Sequence, residues 1–304
     1  MGTSNAYGGP GGGTPLVPTW LEPTGGGVPN ASDGTPPSAI PPAASLPPGG
    51  PLEPGTSPTV PAAPPALPAL PPTPTPSRFS TARSNFSRFA RSGGSDRASL
   101  GRAVSGYVAN ASGGARQAAR RMGSARAAGT RLLGFLSDAQ ARGAREALRA
   151  LNLESLVGRP LEDVFLGLTD YVCPSSGTVD AGIARDAFIE TIAELAKSGI
   201  TDLDALTSEQ MQTVFELYAT HAIEARLCND IGTKVVTLPN DIRAAKQVQE
   251  QLKDYIRRGV SDALAASQAA FQELTPERAQ SFVDSVYEAA FDILRTMGEA
   301  EEET

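Results

Sequence analysis

The sequence predicts a mainly α protein in three parts. A disordered Pro/Gly-rich N-terminal tail leads into an Arg-rich helical segment, which is followed by a C-terminal helical domain. Two observations carry this. Residues 1–76 hold 22 of the 26 prolines and have no Lys, Arg or His. From residue 160 onward, apolar residues recur at helical spacing between recognisable start and stop signals. The expected boundaries are 1–77 for the tail, with a recognition motif at 1–20, then 78–151 for the Arg-rich segment, 152–298 for an acidic helical domain and 299–304 for an acidic tip.

The tail cannot bury enough apolar surface to offset its ordering entropy. Its glycine runs read as loose chain, and Pro58 to Pro76 reads as extended polyproline II, either a spacer or an SH3-type ligand. Its opening, MGTSNAYGGPGGGTPLVPTW, ends in Leu16, Val17 and Trp20, and Trp20 is the only tryptophan. Such a cluster on a tail either docks back on the body or is held by another protein. Gly2 is small, so Met1 is expected to be removed, leaving a glycine α-amine. With an ordinary pKa of about 7.7–8.0, roughly 30% of that amine is neutral near pH 7.4, against about 0.1% of a lysine. Ala6 stands where N-myristoylation wants Ser or Thr.

Between Arg78 and Arg149 there are fourteen arginines, no lysine and three acids. RFSTARSNFSRFARSGG interleaves Phe79, Phe86 and Phe89 with Arg78, Arg83, Arg88 and Arg91. Basic residues with aromatics can follow a phosphate backbone and stack bases. The same strip could instead pair with the acidic C-terminal region. Arginine alone favours bidentate contacts with carboxylate or phosphate. Residues 115–151 are Ala/Arg/Leu-rich and helical, interrupted by Gly123, Gly129, Gly134 and Gly143. Those glycines mark either close helix packing or a helix that forms on a partner.

From Ala150 onward, 27 acids face 12 bases. Pro160 starts a helix with Leu161, Val164, Phe165 and Leu168 inward, broken at Cys173-Pro174. Ile183, Ala187, Phe188, Ile192 and Leu195 form the next stripe, closed by Gly199. Thr207-Ser208-Glu209 opens a third helix, with Met211, Val214, Phe215, Tyr218, Ile223 and Leu227 on its buried side. Val235–Leu238 reads as a short extended piece. Helices are expected from Asn240 to Phe271 and from Pro276 to Met297, the latter capped by Thr275. Glu299–Glu303 reads as solvated acid.

Catalytic chemistry is not visible. There is no GxxxxGK[ST] loop and no GxSxG. His221 is the single histidine, mid-helix among apolar residues, and reads as structural. Cys173 and Cys228 lack zinc-site spacing and do not make a disulfide framework. No apolar run is long enough to span a membrane, and no secretory signal is visible. The expectation is a cytoplasmic protein that is acted on or assembled, with no catalytic residue, metal or cofactor of its own.

The opening block, RFARSGG followed by LGRAVSGYV, and the helical stretches LVGRPLEDVF and TVDAGIARDAFIETIAEL resemble the QatB family of the bacterial Qat anti-phage defence system. The resemblance implies three neighbours: a P-loop ATPase (QatA), a QueC-like enzyme (QatC) and a TatD-like nuclease (QatD). QueC-type enzymes use ATP to activate the carboxylate of a 7-deazaguanine precursor for attack by ammonia. A tail ending in the Gly2 amine could replace ammonia. Thr3, Ser4 and Tyr7 would then contact the partner near its active site, and Leu16, Val17 and Trp20 would anchor the tail outside it. The alternative is a nucleic-acid-binding or scaffold module acting through residues 78–102, with Arg83, Phe86, Arg88, Phe89 and Arg91 as contacts. Limited proteolysis is expected to remove roughly residues 1–76 first, leaving a helical core that begins between Arg78 and Leu151; protection of the N-terminal residues in the isolated chain would contradict the tail assignment.

Overall fold

The computed structural model describes residues 76–232, 239, 241–272 and 274–301. All of them fall in one compact unit, Pro68–Thr304. The tail up to residue 75, the motif at 1–20 and the Val235–Leu238 piece lie outside the described residues.

Among the described residues every regular element is helical. A 3-10 turn at Pro76–Phe79 leads into α1 (Ser80–Arg91) and α2 (Arg97–Gly106). A π-helical turn, Tyr107–Ala111, extends α2. Then come α3 (Ala115–Arg120), α4 (Gly123–Arg142) and α5 (Ala144–Ala150). Next are α6 (Leu161–Val172), α7 (Val179–Ser198) and α8 (Ser208–Ile231). The chain closes with α9 (Ile242–Ala266), α10 (Gln268–Gln272) and α11 (Ala279–Ala300).

Side-chain caps mark the starts of α2, α7 and α8. Asp96 accepts from the Ser99 amide at the head of α2, and Thr178 from the Ala181 amide at the head of α7. Thr207 and Gln210 satisfy each other's backbone amides ahead of α8, a reciprocal capping box. Gly199 ends α7 at φ 77°, a left-handed conformation that costs a glycine nothing.

Two helices differ from the sequence expectation. The stretch expected to run to Phe271 stops at Ala266, and α10 restarts after Ser267. The break turns Phe271 inward, where its ring lies 5.6 Å from that of Phe282. Thr275 and Pro276 do not cap α11. They belong to a turn in which the Arg278 amide donates to the Thr275 carbonyl, and α11 begins at Ala279. At the other end, α11 runs past Met297 to Ala300, and the Glu301 carboxyl packs beside Gly101 instead of being wholly solvated.

Helix α11 packs against α2, α3, α4 and α9, while α8 packs against α4, α7 and α9. The expected boundary near residue 151 is therefore not a packing boundary. One continuous core runs from Ala82 through Leu132 and Phe215 to Leu294, with Tyr218, Tyr287 and Phe291 at its centre. Two glycine contacts set its spacing. At Gly129 in α4, a Cβ would sit 3.1 Å from the Phe215 ring, so the close-packing reading of that glycine holds. At Gly298 in α11, a Cβ would collide with the Gly101 carbonyl of α2 and lie 2.8 Å from Ser105 Cβ.

Gly298→Ala should therefore destabilise the fold. Helix propensity favours Ala by about 1 kcal/mol, but the obstacle is backbone, and overpacking typically costs about 1–3 kcal/mol. Urea unfolding should show a lower midpoint; an unchanged or raised midpoint would mean that α2 and α11 can separate freely.

Candidate functional site

Gly2, Thr3, Ser4, Tyr7, Leu16, Val17 and Trp20 lie outside the described residues. The second set of sequence candidates sits on α1, and the structure corrects its reading. Phe86 is 5% exposed and Phe89 fully buried, packed into the core together with Ala82 and Ala90. Neither ring is free to stack a base. Arg83 is half-buried: its Nε donates to the Ile231 carbonyl at 2.6 Å and its Nη2 to the Asp230 carbonyl at 3.3 Å. A cation there satisfies carbonyls left over at the C-terminus of α8. Arg88 and Arg91 stay exposed on the outer face.

Other arginines of the basic segment also face acids of the C-terminal part. Arg116 pairs with Glu288 at 3.0 Å, and Arg126 with Asp284 at 2.9 Å. A tighter set of contacts centres on Arg226 of α8. Its Nη1 donates to Asp180 at 3.0 Å and its Nε to Asp230 at 3.1 Å. Asp180 also accepts from the Ser124 amide at the head of α4, at 2.7 Å. Asp230 accepts from the Tyr107 hydroxyl of the π-helical turn at 2.9 Å. Burial, with the adjacent Asp230 charge, pushes the Tyr107 hydroxyl far above its ordinary pKa and keeps it a donor.

A cleft of about 570 Å³ lies along α7, α8 and α9. Its floor is His221, Glu224 and Cys228, and its walls carry Glu190 and Lys253. His221 Nε2 lies 3.0 Å from Glu194 Oε2, which also takes the Lys253 ammonium at 3.2 Å. Burial is the main cause that lowers the His221 pKa, against the pull of Glu194, so the imidazole is held neutral more readily than a free one. Burial would raise Glu194, but Lys253 and His221 outweigh it and hold the carboxyl below its ordinary range.

Glu224 lies 3.8 Å from His221 Nδ1, beyond hydrogen-bond reach. Burial, helped by the Glu190 and Glu194 charges and opposed by Lys253, pushes its carboxyl up to about 7. Burial likewise pushes the Cys228 thiol up to about 12 and the Cys173 thiol up to about 11. Neither is poised as a thiolate nucleophile. No group of His, Cys, Asp and Glu among the described residues is arranged to hold a metal ion. No helix among them is long and apolar enough to cross a membrane. The sequence missed this cleft because its lining comes from three helices; the one available signal was His221 itself.

The described residues thus define an all-α protein whose basic N-terminal helices and acidic C-terminal helices are joined by ion pairs and by hydrogen bonds. The chain belongs to the QatB family: the family model for the Qat anti-phage system associated protein QatB matches residues 113–294, more than half the chain. Its role therefore lies in the Qat anti-phage defence system, with other components of that system as partners. Helices α1 and α2 precede the matched span. No curated protein and no solved structure matches the chain.

The cleft gives a pH dependence. Glu224 has a folded pKa of about 7 against an ordinary value of 4.5. Its contribution to stability is full below the lower value and is lost as pH rises through the higher one, because the folded state must then hold a buried charge. Glu224→Gln removes that charge and should gain on the order of 1–3 kcal/mol relative to wild type at pH 8, with little gain at pH 4. Equal effects at both pH values in urea titrations would show that Glu224 ionises freely.

Proposed function

We propose that the chain is a non-catalytic subunit of a Qat assembly that presents its N-terminal Gly2 amine to the QueC-like partner, QatC. In this reading QatC spends ATP to convert the carboxylate of a 7-deazaguanine-type base to an acyl-adenylate, releasing pyrophosphate. The Gly2 nitrogen attacks that carbonyl, an amide bond forms, and AMP and a proton leave. The base ends up attached to this chain. ATP and the base belong to the partner, and the chain needs no cofactor of its own. QatA and QatD are the further partners.

The observation that carries this reading is the family match, which puts the chain in the same system as QatC. Three features of the opening sequence support it. Gly2 lacks a Cβ, so its nitrogen can approach a bound acyl group closely. Its amine is substantially neutral at cellular pH. Leu16, Val17 and Trp20 stand a short way behind it as an apolar anchor. The helical body adds a fourth support: its buried polar groups are largely spent on joining helices, and its thiols are held protonated.

Three variants test the reading. Gly2→Glu hinders Met1 removal and blocks the nucleophile, so it should abolish phage resistance while leaving thermal unfolding unchanged. Trp20→Ala should instead weaken capture by QatC, by about 2 kcal/mol or more if it is a binding hot spot. Deletion of residues 2–20 should abolish co-purification with QatC. Full resistance in the Gly2→Glu strain would overturn the substrate reading.

A further inference from the structure

Helix α7 is apolar on two faces. Ile183, Ala187, Phe188, Ile192 and Leu195 are buried on one. The opposite face carries Gly182, Ile189, Ala193 and Ala196, all exposed. A helix that is apolar all round is one that ends up covered, and among the described residues nothing covers this face. Arg185 lies between Gly182 and Ile189 but is drawn aside. Its Nη1 donates to Asp170 of α6 at 2.8 Å and to the Cys173 carbonyl at 3.2 Å. Helix α6 supplies a second wall. The Asp170–Arg185 pair fixes the register of the two helices at one end. At the other end Glu162 and Phe165 share a small cleft of about 60 Å³ with Ile192 and Ala196. Leu166 is one turn from both Glu162 and Asp170, so this antiparallel register sets it beside Ile189. Leu166 is 49% exposed and Ile189 41%. The two helices thus bound an apolar groove that runs about 21 Å from Gly182 to Ala196, at the helical rise per residue.

The margins of the groove are acidic. Glu162 and Asp170 are exposed on the α6 side. Asp186 and Glu190, one turn apart, are exposed on the other flank of α7, where they also border the cleft of α7, α8 and α9. The cations of the two helices are Arg185, already held by Asp170, and Lys197 near the end of α7. Among the described residues Glu162, Asp186 and Glu190 have no hydrogen-bond or ion-pair partner. Burial first, and then the Glu190 charge, raise the Asp186 carboxyl above its ordinary range. The repulsion between these two neighbours is left without a cation to relieve it.

We infer that the groove between α6 and α7, centred on Leu166 and Ile189, is a docking surface for a basic amphipathic helix of another component of the Qat system. A straight apolar groove between two helices takes the apolar face of a third. Gly182, Ala193 and Ala196 keep the α7 wall low, and a Cβ on Gly182 would meet nothing within 4 Å, so the incoming helix can lie close. Charge selects the partner. Lysines and arginines beside the apolar stripe of the incoming helix would meet Glu162, Asp186 and Glu190. A second copy of this chain would bring the same excess of acid to the contact, and like charges brought together oppose docking. The contact is independent of the Gly2 reaction.

Photo-crosslinking in cells that carry the complete Qat operon tests this. The full-length chain takes a benzoyl-phenylalanine in place of Leu166 or of Ala196, at the two ends of the groove, or of Ile242 as a control. Ile242 is 84% exposed at the head of α9. Illumination should join positions 166 and 196 to the same Qat protein, through a segment with apolar residues at helical spacing flanked by Lys and Arg, and should leave position 242 without that adduct. Ile189→Asp should cut the yield about tenfold or more, by placing a charge in the centre of the contact. Asp186→Lys with Glu190→Lys should cut it about threefold or more, by reversing the margin. Circular dichroism should be unchanged for these variants, since all three side chains are exposed. Gly2→Glu should leave the yield as it is, which separates this inference from the reading of the N-terminus. No adduct at either groove position would overturn the inference, as would the same adduct at position 242. An adduct within the chain or between two copies of it would overturn it too. Yields that ignore the charge reversals would rule out a basic partner.

Discussion

The structure depends on one shared guanidinium. Arg226 of α8 sits between Asp180 and Asp230, at 3.0 and 3.1 Å. Those two carboxylates in turn hold the head of α4 and the π-helical turn after α2. The four elements come from both sides of the compositional change near residue 150. Desolvated ions of this kind need not add net stability, because their dehydration offsets much of their attraction. Removing one partner is costly, however, since the other charge is left buried. The geometric result is register: α8 can sit in only one rotation relative to α4 and to the end of α2. That placement fixes the side of α8 that faces the core, with Phe215 and Tyr218 against Gly129, and the side that floors the cleft, with His221 and Glu224.

The helices from residue 161 to 231 were legible in the sequence because their signals are local. Thr207 with Gln210, Gly199, and the stripe from Ile183 to Leu195 each act within one helix. What the sequence hid was contact between distant residues. Gly101 meets Gly298 across most of the domain, and His221 meets Glu194 at a separation of 27 residues. The Arg/Phe interleaving of α1 misled for a related reason. Phe86, Phe89 and Ala90 share a helical face with Ala82, while Arg83 falls at its margin and Arg88 and Arg91 on the outer face. A strand-binding motif and an amphipathic helix in a basic segment have the same spacing there, and only the packing partner tells them apart. The early end of α9 had no local marker either, because the break serves Phe271, whose partner Phe282 lies in another helix.

These separations assign different work to different parts of the chain. Polar groups inside the helical body are mostly spent on each other. Arg83 closes the end of α8, Lys253 and His221 share Glu194, and the Cys228 thiol is held protonated by burial. In the proposed account, this family member contributes to phage defence through what it carries and what it touches. The carried element, in this account, is an N-terminal amine offered to an enzyme of the same system.

The most direct measurement is the intact mass of the chain purified from cells that carry the complete Qat operon, set beside the chain from cells that lack only the QueC-like gene. The account predicts loss of Met1 in both. It predicts one covalent addition, on the Gly2 nitrogen, in the complete operon alone. An identical, unmodified mass from both sources, in cells whose complete operon resists phage, would contradict it.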